Sequence, residues 1–431
     1  MTGSPTTTFP STGPDGSKRL ISTLTLTIFI QWMGASALIP LLPVYIQRLG
    51  GTDALAGVVM ASFYAAGVLS QFPAGRLADR IGKRPVLVSG LILYGVASLA
   101  FLFPITASVA IVLRSVQGVG DAAAVVASLA MVSSSVAEGN RGRAFASLYG
   151  GELAGMAIGP LVGSIVGIRH MWVMFLASGV LSLGACIPAL SVARAGDRPS
   201  SILLPSRSRP GHIRLNRSMT GALICGAALG LTTGVYDICW TLLLVARGAS
   251  GLAIGISWTL FAVPFVAAAK PSGWLADHVD RRVLVLAGVG VSTVLCASYP
   301  FIHSVPALVV LGGSEALGFA AAMPAIQSLL TQGSASGETG RIQGMFGTAQ
   351  TACTALAAAA AGAAFAIAAW LPFIAVAMVV AIGLGAAALA WRSVPGLVTP
   401  PRSGPAPAPL VQSPLVQSPL AATAGTRGEV Q

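Results

Sequence analysis

Long apolar segments fill the chain from residue 21 to residue 391 and limit its fold more than any other feature. A helix needs about 20 mostly apolar residues to cross the hydrocarbon core of a bilayer. The apolar residues here run continuously and do not alternate with polar ones, which is typical of membrane helices and not of outer-membrane barrel strands. The sequence therefore predicts an all-α membrane protein. Twelve transmembrane helices are expected, at residues 21–46, 54–75, 85–104, 108–136, 144–167, 172–193, 219–246, 252–274, 283–302, 306–331, 343–368 and 370–391.

Charged residues are scarce, and the positive ones lie mainly on one side of the predicted helices. Only 9% of the 431 residues are charged, against roughly 25% in soluble proteins. Of the 25 Lys and Arg residues, 21 fall on the side of the N-terminus and three, Arg48, Arg169 and Arg247, on the other. Because an excess of Lys and Arg marks cytoplasmic loops, both termini are expected in the cytoplasm of a multi-pass protein of the cell (inner) membrane. Membrane topology thus accounts for the net charge of +12, and no nucleic-acid partner is expected.

The second half of the chain repeats the first at a constant offset of 198 residues. Gly75 aligns with Gly273 and Asp79 with Asp277, and the match extends over about 90 residues. Two homologous six-helix halves with a substrate path between them are a transporter architecture. The predicted organisation is a cytoplasmic N-terminal tail at 1–20, a six-helix bundle at 21–193, a cytoplasmic linker at 194–218, a second six-helix bundle at 219–391 and a disordered cytoplasmic tail at 392–431.

Four short motifs resemble those of one transporter family. The stretch GRLADRIGKRP (75–85) is similar to the signature loop between helices two and three of the major facilitator superfamily. In helices one, four and five, MGASALIPLLP (33–43), LRSVQGVGDAA (113–123) and GMAIGPLVGS (155–164) resemble the patterns of its twelve-helix drug:proton antiporters, the multidrug efflux transporters. The second half departs from the fifth-helix pattern, since Cys353 and Ala357 align with Gly155 and Gly159. The resemblance implies a pseudo-symmetric major facilitator fold and proton-coupled export.

The signature loop is the first candidate functional element. The resemblance implies that it joins the two halves in the outward-facing state and releases them in the inward-facing state. Gly75 would permit close approach of a neighbouring helix and Gly82 a tight turn, while Asp79 would accept a basic side chain or a helix N-terminus. For the basic residues, a role in anchoring the topology alone stays open. The predicted gating residues are Gly75, Asp79, Arg80, Gly82, Arg84 and, in the second half, Asp277.

A ladder of glycines marks the fifth predicted helix. Gly155, Gly159, Gly163 and Gly167 recur every four residues and form one flat face for close packing of another helix. Pro160 adds a kink or hinge. The face could serve tight packing alone, or it could let helices slide between conformational states.

Ionisable residues inside the predicted helices are functional candidates, because such groups are costly in a bilayer. Spacings of three and four place Arg114, Gln117 and Asp121 on one face of helix four. A carboxyl group in apolar surroundings can bind and release protons near neutral pH, so at least one acid is expected to carry a coupled proton, with Asp237 the first choice. A purely structural role stays open for each. The candidates for proton or substrate binding are Asp237, Asp121, Glu152, Glu315, Arg114, Gln117, Tyr236, Trp240 and Gln31.

The favoured function is secondary active export of small amphipathic compounds or drugs by alternating access. Aromatic residues near the acids suit lipophilic cations, although simple packing explains them equally well. The alternatives are transport of a specific metabolite, such as a sugar or organic acid, and a non-transporting membrane sensor. No hydrolase or nucleotide-binding motif occurs and the five cysteines lack metal-ligand spacing, so no enzyme, catalytic residue, cofactor or metal site is predicted. The expected partners are a small-molecule substrate, protons and the lipid bilayer, with the protein a monomer.

Overall fold

The computed structural model describes residues 14–103, 105–136, 138–191, 215–332 and 339–394. Within these ranges the chain is helical without β-strands, and the prediction of twelve membrane helices is confirmed. Nine of the described helices are long and apolar enough to span a membrane, and the three helices at 14–36, 138–166 and 251–267 are less apolar or shorter. The helices are α1 (Pro14–Ser36), α2 (Asp53–Ile81), α3 (Lys83–Ala100), α4 (Ala107–Ser135), α5 (Glu138–Val166), α6 (Met171–Ser191), α7 (Arg217–Ala246), α8 (Gly251–Ala267), α9 (Arg281–Ser298), α10 (Val305–Thr331), α11 (Thr339–Ile367) and α12 (Leu371–Ala390).

Prolines interrupt two of these helices. After α1 the chain turns and resumes as a short helix, Leu42–Arg48, with Pro43 in its first turn, where a missing N–H does no harm. The helix that follows α8, Ala269–His278, contains Pro271, which has no N–H to offer the carbonyl group of Ala267. Because the carbonyl group of Ala267 lacks this donor, α8 ends at Ala267.

The ends of the predicted domains differ in how far they are described. α1 begins at Pro14, so helix covers residues that the sequence analysis assigns to the N-terminal tail. Most of the predicted linker and C-terminal tail, at 192–214 and 395–431, lies outside the described residues. The described helices belong to one compact unit.

The helix contacts repeat from one half of the chain to the other. In the first half, α1 packs on α5 and α6, α4 packs on α2 and α3, and α3 packs on α6. In the second half, the equivalent pairs form six helices later: α7 with α11 and α12, α10 with α8 and α9, and α9 with α12. The offset of 198 residues in the sequence is therefore matched by equivalent packing in space.

The two halves meet through α2 with α11 and α5 with α8. We call the end of the bundle where α1 begins and α12 ends the terminal end, and the opposite end the far end. At the far end, a methyl group on Gly57 of α2 would lie 2.6 Å from the carbonyl oxygen of Ala358. The other contacts between the halves that an added methyl group would meet, at Gly251, Gly255 and Gly362, also lie at the far end. Among the described residues, the close glycine contacts between the halves are thus concentrated at the far end.

Three rungs of the glycine ladder pack on α1. A methyl group on Gly155 would lie 2.8 Å from the Phe29 carbonyl oxygen, and one on Gly159 would lie 2.6 Å from that of Met33. A methyl group on Gly163 would overlap the Ala37 carbonyl group. Gly167 is not part of this face, because it ends α5 with a φ of 72°.

The ladder generates a stability prediction. Gly159→Ala should lower the free energy of unfolding by about 1–3 kcal/mol, because the added methyl group has no space against the α1 backbone, and Gly159→Leu should do more damage. Gly150→Ala on the same helix is the matched control and should be neutral, since its position is open. Thermal unfolding of the detergent-solubilised variants compares them. Equal stability of Gly159→Leu and wild type would contradict this packing.

Candidate functional site

Asp237 links the two halves of the chain. Its side chain lies in α7, is only 4% exposed, and accepts a hydrogen bond of 2.5 Å from the hydroxyl group of Tyr64 in α2. A second hydrogen bond between the halves runs from the Thr259 hydroxyl group to the Ala157 carbonyl oxygen, at 3.1 Å. Of these two bonds, only the first involves a group that can change its charge.

A π-helical turn at Tyr236–Trp240 sets the direction of the side chains around Asp237. Such a turn inserts one residue into an α-helix and is often found at functional sites. Through it, Tyr236 reaches Glu315 within the second half, while Asp237 reaches Tyr64 in the first. Trp240 donates its indole N–H to the Ser257 hydroxyl oxygen at 3.0 Å. Three neighbouring residues of α7 thus bind three different helices.

Glu315 is held by two tyrosines. It lies in α10 with 1% of its surface exposed, and it accepts hydrogen bonds from the hydroxyl groups of Tyr236 at 2.9 Å and Tyr299 at 2.6 Å. Both donors belong to the second half of the chain. Because the carboxyl group has hydrogen-bond donors in place of water, its burial is tolerated.

Arg114 in α4 is a buried cation, 4% exposed, with no carboxylate at ion-pair distance among the described residues. It donates to the side-chain oxygen of Gln117 at 2.9 Å, and its guanidinium carbon lies 4.5 Å from the centre of the Phe63 ring. Gln117 in turn donates to the Ser98 hydroxyl oxygen at 2.8 Å. Arg114 is therefore stabilised by an amide and an aromatic face and not by a direct ion pair.

The other candidates of the first half lack such partners. Gln31 is 4% exposed, and neither its side-chain oxygen nor its nitrogen has a hydrogen-bond partner. It lines a narrow recess between α1, α3 and α4 together with Asp121 and Trp32, whose indole N–H is also unpartnered. Glu152 of α5 is near enough to Asp121 for their charges to interact.

The signature loop combines one rigid turn with an exposed acid. Gly82 joins α2 to α3 with a φ of 102°, a conformation that favours glycine. Arg84 donates to the Leu190 carbonyl oxygen at the end of α6. Asp79 is exposed and forms no hydrogen bond or ion pair with the described residues, and Arg80 is also exposed. The close approach expected at Gly75 is absent, because the nearest neighbour of an added methyl group would be Val126 at 3.8 Å.

The equivalent loop of the second half is built differently. Asp277 lies in the helix Ala269–His278, and its side chain is outside the described residues. Asp280, which stands at the position of Gly82, accepts a hydrogen bond from the backbone N–H of Arg282 and pairs with its guanidinium group at 2.6 Å. This pairing lowers the pKa of Asp280. The first half thus forms its turn with a glycine, and the second half forms it with a capping acid at the start of α9.

Several partners of the candidate residues escape the sequence analysis. Tyr299, Ser98, Ser257 and Thr259 all bind candidate residues or the opposite half, yet no spacing rule connects residues on different helices. Tyrosine is rare in this chain, with six residues, and three of the six bind buried acids. The rarity of tyrosine is the one sequence feature that could have pointed to these partners of the buried acids. In the described part of the chain, no group of three His, Cys, Asp or Glu residues could hold a metal ion.

Comparisons with known proteins identify the family. A family model described as Major Facilitator Superfamily matches residues 24–236 and 222–426. The multidrug resistance protein MdtG of Citrobacter koseri is 27% identical over 352 residues, which are 77% of this chain and 85% of MdtG. The chloramphenicol resistance protein of Pseudomonas aeruginosa is 27% identical over 267 residues, 60% of this chain and 62% of that protein, so the match spans less than two thirds of its length.

Solved structures agree on the fold. A bacterial homologue of the human lysosomal transporter Spinster, in an inward-facing and unoccupied conformation, superposes with a TM-score of 0.71 at 11% identity, covering 88% of this chain and 98% of that one. The peptide transporter POT gives a TM-score of 0.69 at 15% identity, covering 86% and 94%. At these identities the similarity concerns the fold alone. Since the family model matches most of the sequence, the chain belongs to the Major Facilitator Superfamily of membrane transporters.

Proposed function

We propose that the protein exports small amphipathic compounds in exchange for protons and that Asp237 carries the coupled proton. The names of its relatives, multidrug resistance protein and chloramphenicol resistance protein, support a substrate of this class. The observation that carries the proton assignment is the bond between Asp237 and Tyr64, because it places a buried ionisable group at a contact between the two halves.

The bond gives a physical route from protonation to movement. A charged carboxylate is a stronger acceptor than a neutral carboxyl group, so the ionised form of Asp237 favours the arrangement in which Tyr64 reaches it. A proton on Asp237 weakens that preference. A ligand shifts a conformational equilibrium only if its affinity differs between the two states. The proton is the ligand here, and its affinity for Asp237 differs between a state with the bond to Tyr64 and a state without it.

The proposed orientation follows the charge distribution. With the termini in the cytoplasm, the close glycine contacts between the halves at Gly57, Gly255 and Gly362 lie toward the outside. In this conformation a compound would enter from the cytoplasm. The far-end contacts must then separate to release it.

Dye efflux and internal pH test the proposal. Cells expressing the protein should expel a fluorescent dye, and a proton uncoupler should stop the efflux. In proteoliposomes, Asp237→Asn should abolish proton movement on substrate addition but retain some downhill exchange, because Asn mimics the protonated carboxyl group and can still accept from Tyr64. Asp237→Ala should lose more. Asp53→Asn, at a partly exposed acid that binds Gln47 within the first half, is the control and should behave as wild type. Proton movement by Asp237→Asn at the wild-type rate would place the coupling elsewhere.

The contact between Tyr64 and Asp237 should appear as an energetic coupling. In a double-mutant cycle of Tyr64→Phe with Asp237→Ala, we expect a coupling energy on the order of 1 kcal/mol in thermal unfolding. Thr259→Val is the matched control, because it also removes a bond between the halves. Its effect should add to that of Asp237→Ala without coupling. Additive effects of Tyr64→Phe and Asp237→Ala would mean that the bond contributes nothing to stability.

The signature loop should matter for transport and not for the stability of this conformation. Asp79→Asn should nearly abolish transport while membrane insertion and thermal stability stay unchanged, since Asp79 is exposed, has no partner among the described residues, and is proposed to act in the other state. Asp277→Asn should reduce transport less, because Asp280 replaces the turn-forming glycine in its loop. Transport rates and the amount of inserted protein are the measurements. A normal rate for Asp79→Asn would refute the gating role.

A further inference from the structure

The candidate acids of the two halves differ in burial and in hydrogen-bond partners: Asp237 and Glu315 are buried, whereas Asp121 and Glu152 are partly exposed. In the second half, Asp237 and Glu315 both accept hydrogen bonds from tyrosine hydroxyl groups. In the first half, Asp121 and Glu152 form no hydrogen bond or ion pair with the described residues, and both side-chain atoms of Gln31 are unpartnered. An unpartnered buried polar group costs about 1–3 kcal/mol. The buried amide of Gln31 therefore carries a cost that the buried carboxyl groups of Asp237 and Glu315 avoid.

Three of the unpartnered side chains of the first half, Gln31, Trp32 and Ser128, line one recess. Gln31 and Trp32 come from α1 and Asp121 and Ser128 from α4, and all four line it. The Ser128 hydroxyl group and the Trp32 indole N–H are unpartnered like the amide of Gln31. Gln31 and Ser128 are more than nine-tenths buried. Helices α1 and α4 thus direct polar atoms from two sides into one narrow space.

The chemistry of the recess selects its ligand. The Asp121 carboxylate, the Gln31 side-chain oxygen and the Ser128 hydroxyl oxygen can all accept hydrogen bonds, and the aromatic ring of Trp32 attracts cations. The second carboxylate, Glu152, adds negative charge nearby. The oxygen atoms of this set favour a cation that carries several N–H donors, whereas the N–H groups of Gln31 and Trp32 gain no partner from it.

The size of the recess narrows the choice further. It has room for about one water-sized group, which fits the head of a protonated primary amine and not a quaternary ammonium group. Its other walls are apolar and include Ile28, Leu87 and Leu91.

We propose that this recess binds the protonated primary amine of an amphipathic substrate. The inference rests on the proposed export function and extends it, because it assigns substrate recognition to Asp121, Glu152 and Gln31 of the first half. The proton remains with Asp237 of the second half.

Equilibrium binding to the purified full-length protein tests the assignment without a proton gradient. The probes are dansylcadaverine, a fluorescent primary amine, and its neutral N-acetyl derivative. Wild type should bind the amine more tightly than the derivative. Asp121→Asn should weaken amine binding about tenfold or more, as expected for loss of a hydrogen bond to a charged group, and should leave the neutral derivative unaffected. Glu152→Gln should have the same selectivity with a smaller effect.

Gln31→Leu separates binding from folding. Because the amide of Gln31 has no partner, its replacement by an apolar group of similar size should keep or raise thermal stability, yet it should weaken amine binding. Asp237→Asn should retain the preference for the amine. A variant that has lost proton coupling can therefore be distinguished from a variant that has lost amine binding at the recess. Equal binding of the two probes by wild type, or unchanged amine binding by both Asp121→Asn and Gln31→Leu, would overturn the proposal.

Discussion

A polar side chain within a membrane protein has no water to bind unless the fold provides a partner or an open path. This constraint organises the interior of the chain. Arg114 rests on the face of Phe63 and binds Gln117, and Glu315 is held between two tyrosines. The same constraint explains the hydrogen bond from Tyr64 to Asp237, because Asp237 finds its donor on a helix of the other half. The few groups without partners then stand out as positions that a ligand can satisfy.

The internal repeat keeps the packing of the helices and changes the chemistry between them. Arg114 aligns with Gly312 at the offset of 198 residues, and a methyl group on Gly312 would lie 3.2 Å from the ring of Trp240. Gln117 aligns with Glu315, so an amide in one half corresponds to an acid in the other. Equivalent helices therefore carry a buried cation in the first half and a buried acid with aromatic partners in the second. This divergence allows each half a separate task on a shared scaffold.

The sequence predicts the twelve helices well because hydropathy and length are local properties. The turn at Gly82 and the packing face of α5 are equally local, since a glycine at a tight position has a direct steric reason. By contrast, the bond between Tyr64 and Asp237 joins residues 173 positions apart on different helices, and no pattern along the chain connects them. The π-helical turn at Tyr236–Trp240 has no proline or glycine to announce it. Gly75 shows a further limit, because a glycine in a motif predicts a close helix contact, yet an added methyl group there would have Val126 as its nearest neighbour, at 3.8 Å.

The position of Arg114 offers a reason why substrate and proton would exchange. Its charge acts on Asp121 in its own half and on Asp237 in the other. Under the proposed assignment, an amine that binds at Asp121 brings a positive charge to the same interior, and a proton that leaves Asp237 removes one. The two events together keep the charge of the buried region nearly constant, whereas either event alone would leave a net charge in a medium of low dielectric constant. Exchange is then favoured over the movement of a single ligand, although the two ligands occupy different sites.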